Sequence, residues 1–92
     1  MNKSELIESI NDMTKRLNQD ATNEEADDGW SSEIKSRVEH YFQGVKDCIN
    51  RGVEVEHVGV VRSLDFDGVC QGGLICDIAQ IMKHVRKYNS EL

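Results

Sequence analysis

Apolar side chains recur at steps of three and four over residues 30–49, where Trp30, Ile34, Val38, Tyr41, Phe42, Val45, Cys48 and Ile49 fall on one side of a helical wheel. Ser36, Glu39, His40, Gln43 and Asp47 fall on the other. The spacing predicts a long amphipathic helix, capped by Ser31 or Ser32 and stopped at Asn50-Arg51-Gly52, with Gly52 left-handed. Trp30, Tyr41 and Phe42 each bring about 150–250 Å² of burial, so this face should dominate the core. Glu33/Arg37, Lys35/Glu39 and Asp47/Arg51 are i, i+4 pairs that should neutralise its exposed side.

A second stripe, Leu6, Ile10, Met13 and Leu17, predicts a helix from Ser4, its expected cap, to about Asn18. Residues 19–29 are polar and acidic and read as a loop with a helical turn after Thr22 or Asn23. Past Gly52 the period changes. Val53 to His57 alternates, Val58-Gly59-Val60-Val61 is apolar, and Leu64 ends the run, which reads as β-strand with a bulge at Gly59 or as two short strands. Asp65-Phe66-Asp67-Gly68 has turn chemistry, and Val69-Cys70-Gln71 would return as the second strand of a hairpin. A last helix is expected from about Leu74 to Tyr88, with residues 89–92 frayed. The expected fold class is therefore α+β: one small domain over residues 1–92, ordered helix, helix, β-hairpin, helix, with the helices packed on a small antiparallel sheet.

The chain has 92 residues and a formal net charge of −6. Residues 1–34 hold nine acids against three bases, while residues 35–92 balance eight against eight. All of the net charge thus belongs to the first third. An acidic chain is a poor direct ligand for nucleic acid or an anionic membrane, but a fitting partner for a protein that itself binds nucleic acid. Cys48, Cys70 and Cys76 show no framework spacing and read as free, core-packing thiols in a reducing compartment. The N-terminal residues lack the apolar run of a signal peptide, and no segment reaches membrane-span length, so a soluble intracellular protein is expected.

Catalytic readings fail on context. Val60 to Val69, an apolar run followed by Asp65-Phe66-Asp67-Gly68-Val69, looks like the nucleophile loop of haloacid-dehalogenase-type phosphatases. That chemistry needs a large α/β domain and later lysine and acidic partners, and only Asp77 and Glu91 follow as acids. An EF-hand is excluded because Gly68 stands at the wrong position from Asp65. Cys70, Cys76, His57 and His84 have no zinc-ligand spacing. The expectation is no catalytic residue, no metal and no cofactor.

The acids themselves carry the functional reading. Glu5, Glu8 and Asp12 should form a row on the first helix, about 4.5 and 6 Å apart along its axis. They continue into Asp20, Glu24, Glu25, Asp27 and Asp28 with no base after Arg16. Lys15 and Arg16 can partly neutralise Asp12. Duplex DNA carries about one negative charge per 1.7 Å of axis, so carboxylates regularly placed on a rod can imitate phosphates.

In size, acidity, lack of proline, its opening Met-Asn-Lys-Ser-Glu-Leu-Ile-Glu and the run Asn-Glu-Glu-Ala-Asp-Asp-Gly-Trp, the chain resembles the anti-restriction nuclease proteins of T-even phages. The resemblance covers the whole chain as a profile and rests on no diagnostic motif. It implies a homodimeric DNA mimic acting in the bacterial host cytoplasm. Its partner would be a host modification-dependent restriction nuclease or a nucleoid protein. The alternative is an acidic adaptor or antitoxin-like protein that binds its partner through an apolar helix face, its acidity incidental.

Overall fold

The computed structural model describes residues 2–92. Its elements are helices α1 (Lys3–Leu17), α2 (Asn23–Asp27), α3 (Ser32–Arg51), α4 (Val60–Phe66) and α5 (Gly73–Ser90), with no strand among the described residues. The α+β expectation is therefore wrong, and the protein is all-helical. α1 packs against both α3 and α5, and α4 lies on α5. The three long helices spend their apolar stripes on one core that includes Leu6, Ile10, Phe42, Ile49, Ile78 and Met82.

The residues read as a hairpin form α4, and the reason is which positions can be buried. In a strand, Val60, Arg62 and Leu64 would share a face, forcing Arg62 into the core. In a helix Val60 and Leu64 are i, i+4 partners; both are buried while Arg62 and Ser63 stay in water. That pattern outweighs the β-propensity of the two valines. Asp67-Gly68 then ends a helix rather than turning a hairpin. Gly68 is left-handed (φ 91°), the Val69 N–H donates to Leu64 O (2.8 Å) and the Gly68 N–H to Asp65 O (3.1 Å). This is a Schellman closure, with Leu64 and Val69 both buried.

Residues 53–59 form neither helix nor strand, so their backbone groups need other partners. Side chains of α3 and α5 supply them. Asn89 accepts from Val55 N–H and donates to Val55 O, both at 2.9 Å, as a neighbouring strand would. Tyr88 Oη donates to Val53 O (2.8 Å), Arg86 to Val58 O (3.2 Å), and Tyr41 Oη to His57 O. The end of α5, expected to fray, is thus a clamp through Asn89. Asn89→Ala should lower stability by about 1–3 kcal/mol by orphaning the buried Val55 amide, measured by urea denaturation. Asn89→Asp should recover part of that loss, because it still accepts from the Val55 N–H.

Other boundaries are set by caps. Asn2, not Ser4, caps α1: Glu5 N–H donates to Asn2 Oδ1 (2.8 Å) and Asn2 N–H to Glu5 Oε1 (3.5 Å), a reciprocal box. Thr22 and Glu25 repeat the arrangement on α2, and Ser31 caps α3. Gly52 ends α3 in the left-handed conformation (φ 71°), as its position predicts. Trp30 precedes α3 rather than belonging to it; its ring is buried, and its indole N–H has no hydrogen-bond partner among the described residues.

Candidate acidic face

The eight acids singled out from the sequence divide into two groups. Glu8, Asp12, Glu24 and Asp27 are exposed, and none belongs to an ion pair among the described residues. The other four have intramolecular roles. Glu5 is exposed but closes the α1 capping box. Asp20 accepts from the Ser32 hydroxyl at 3.5 Å, joining the middle of the α1–α2 connection to α3. Asp28 is half-buried with its carboxylate against Gly72, where even a Cβ would collide with it. A negative charge there suits the positive end of the α5 dipole.

Glu25 is the most committed. Its carboxylate lies 2.9 Å from Lys35 Nζ, and the Lys35 side chain is 2% exposed. The bond from Lys35, then the Thr22 backbone N–H, hold the Glu25 carboxyl below its ordinary value of 4.5. Lys35 was expected on the exposed side of α3, paired with Glu39; instead it is buried and reaches back to the acidic segment. A clue lay in the wheel. Lys35 falls about 65° from the centre of the stripe marked by Ile34, Val38, Phe42 and Val45, next to Phe42 at its edge, where a long side chain can lie along the apolar surface.

Arg16 also leaves its expected role. It pairs with Asp77 of α5 (2.7 Å) rather than shielding Asp12. The α1 row therefore keeps Glu8 and Asp12 unneutralised by that cation, on a helix held from both sides by α3 and α5. Glu8 and Asp12 are four residues apart, about 6 Å along the axis.

The remaining candidates do not assemble into a reactive site. Asp65 is exposed, and Asp67 pairs with Arg37 across to α3. Cys70 and Cys76, expected to pack as small hydrophobes, are exposed, while Cys48 is half-buried on α3. No group of three or more His, Cys, Asp or Glu side chains among the described residues could hold a metal ion. Tyr41 is pushed up to about 12 by burial, which keeps its hydroxyl a donor to His57 O. No described helix is long and apolar enough to cross a membrane.

The fold and this face define a small helical protein with a divided acid set: one half built into the architecture, the other presented to solvent. No family model, curated protein or solved structure matches the chain.

Proposed function

We propose that this protein is a non-enzymatic inhibitor whose acidic face occupies the phosphate-binding surface of a DNA-binding protein in a bacterial host. A modification-dependent restriction nuclease is the target class that the resemblance to anti-restriction proteins implies. The observation that carries the reading is the unpaired state of Glu8 and Asp12 on a rigid helix, with the nearby Arg16 drawn off to Asp77. Rigid, unshielded carboxylates meet lysines and arginines of a target without first breaking internal ion pairs. Glu24 and Asp27 extend the same chemistry onto α2. The adaptor alternative needs an unspent apolar helix face; α1, α3 and α5 bury theirs, and among the described helices the exposed large apolar side chain left to it is Phe66 of α4.

The test is competition. Wild-type protein should displace duplex DNA from its target, less effectively as salt rises. Glu8→Lys with Asp12→Lys should weaken that displacement about tenfold or more, because reversal turns attraction into repulsion. The fold should survive, since exposed substitutions usually cost within about 0.5 kcal/mol. Lys83→Glu with Arg86→Glu serves as the control and should leave displacement intact. If the acid-reversed protein and its Glu24→Lys, Asp27→Lys counterpart both compete like wild type, phosphate imitation is excluded.

A further inference from the structure

Residues 54–58 are hydrogen-bonded to the rest of the molecule by side chains alone. Among the described residues, none of their backbone groups bonds to another backbone group. Asn89 takes both polar groups of Val55, Arg86 donates to Val58 O and Tyr41 Oη to His57 O, while Tyr88 Oη holds Val53 O just before them. Val55 is the one buried residue of the stretch; Val58 is half-buried, and Val53, Glu54, Glu56 and His57 are exposed. Few buried apolar contacts and no backbone ladder mark a segment whose opening costs less than unfolding the domain.

Its two ends are free to pivot. Gly52 is left-handed (φ 71°), Gly59 precedes α4 without a side-chain cap, and a Cβ at either would meet nothing within 4 Å. The stretch also divides a hollow over α3. A cavity of about 650 Å³ lies against residues 53–57, and one of about 450 Å³ against residues 56–60. Tyr41, Glu56 and His57 line both, so the Tyr41–His57 bond stands in the wall between them. The floor is one stripe of α3 roughly 15 Å long: Val38 in the smaller cavity, Tyr41 at the wall, Val45 and Cys48 in the larger.

We propose that residues 53–59 are a releasable strap, which swings off α3 and α5 as one unit about Gly52 and Gly59 while the long helices stay folded. Its latches sit on elements that do not need it. Arg86, Tyr88 and Asn89 belong to the last turns of α5, which Ile78, Met82 and Val85 anchor in the core, and Tyr41 belongs to α3, which Phe42 and Val45 anchor. Release gives up the five bonds and the burial of Val55. It removes the wall between the cavities and joins them into one trough over Val38, Tyr41, Val45 and Cys48. The strap thus makes the domain a two-state device: closed, with the α3 stripe covered, or open, with that stripe presented to solvent. The inference does not depend on the inhibitor reading, and its test needs no DNA-binding target.

Native-state hydrogen exchange of the full chain tests this, read residue by residue by NMR at urea concentrations below the unfolding transition. The Val55 amide should exchange faster than the core amides of Phe42 and Met82. Its rate should also depend far less on urea, because strap release exposes much less surface than unfolding. Tyr41→Phe and Tyr88→Phe are the discriminating variants. Their hydroxyls bond to His57 O and Val53 O, on either side of Val55, and both changes keep the packed ring. If the strap leaves as one unit, each should speed Val55 exchange about 2- to 10-fold, the worth of one hydrogen bond. A Val55 amide with the urea dependence of the core amides overturns the inference, since the stretch would then leave only with the whole domain. So does a Val55 rate that neither tyrosine variant changes, since Val55 would then open alone and not with the strap.

Discussion

Phe42→Ala lowers the unfolding free energy by about 3–5 kcal/mol in urea denaturation, the largest loss expected from any single truncation in this chain. Phe42 is completely buried at the middle of α3, in the core that this helix shares with α1 and α5. The edge of the Tyr41 ring also meets its ring, with centroids 5.5 Å apart. Removing the ring deletes burial and leaves a cavity that three packed helices cannot all close. For a domain of this size that loss is a large fraction of the total stability. A loss under about 1 kcal/mol would mean that the helix faces the core by a different register.

Glu25→Ala should be nearly as damaging, at about 3 kcal/mol, while Lys35→Met should change stability by less than about 1 kcal/mol. The asymmetry follows from burial. Without Glu25 the Lys35 ammonium is left in a site where the residue is 1% exposed, with no counter-charge. The cost lies at the low end for a broken buried pair because Glu25 itself still reaches water. Methionine fills the same space and needs no partner. The pair also sets a pH window. The Glu25 carboxyl is held below 4.5 in the folded protein, so its contribution is complete above 4.5 and drains away as pH falls below that value. The gap between wild type and Glu25→Ala should therefore be widest near neutral pH and shrink in acid. Equal losses for Glu25→Ala and Lys35→Met would instead show that the ion pair outweighs its own desolvation.

The long helices were legible because one signal, the three-to-four spacing of large apolar residues, is both strong and sufficient for them. Leu6, Ile10, Met13 and Leu17 are all buried, as are Val38, Phe42, Val45 and Ile49. Gly52 and the short helix after Thr22 were legible from local chemistry. The segment 53–71 was misread because seven-residue α4 carries only two buried residues, Val60 and Leu64, too few for a period to stand out against four β-branched neighbours. What holds 53–59 in place is also non-local: its hydrogen-bond partners, Tyr41, Tyr88 and Asn89, lie on α3 and α5. The acids were legible as a charge imbalance but not as two groups. That Glu25 belongs to Lys35, Asp28 to the start of α5 and Arg16 to Asp77 depends on tertiary placement, which charge spacing along the chain does not encode.

The approach of Gly29 to Gly68 bears on how the acidic segment comes to be ordered. Gly29 has a φ of 103°, and a Cβ there would lie 2.6 Å from Gly68 O, so the two chain breaks cross with no room for a side chain. α1 and α3 are close neighbours along the chain and can associate as a helical hairpin at little entropic cost. The Gly29–Gly68 crossing instead closes a loop of roughly 40 residues, which costs about 3 kcal/mol in chain entropy beyond the constant term. Together with Asp28 against Gly72, it makes the seat of α2 a composite of the acidic segment and the C-terminal third. The carboxylates of α1 and those of α2 thus both answer to the C-terminal third: α1 packs on α5 as well as on α3 and gives up Arg16 to Asp77, while the seat of α2 needs the Gly29–Gly68 crossing. Loosening the C-terminal third would free Arg16 toward Asp12 and unseat α2, blunting both halves of the acidic face.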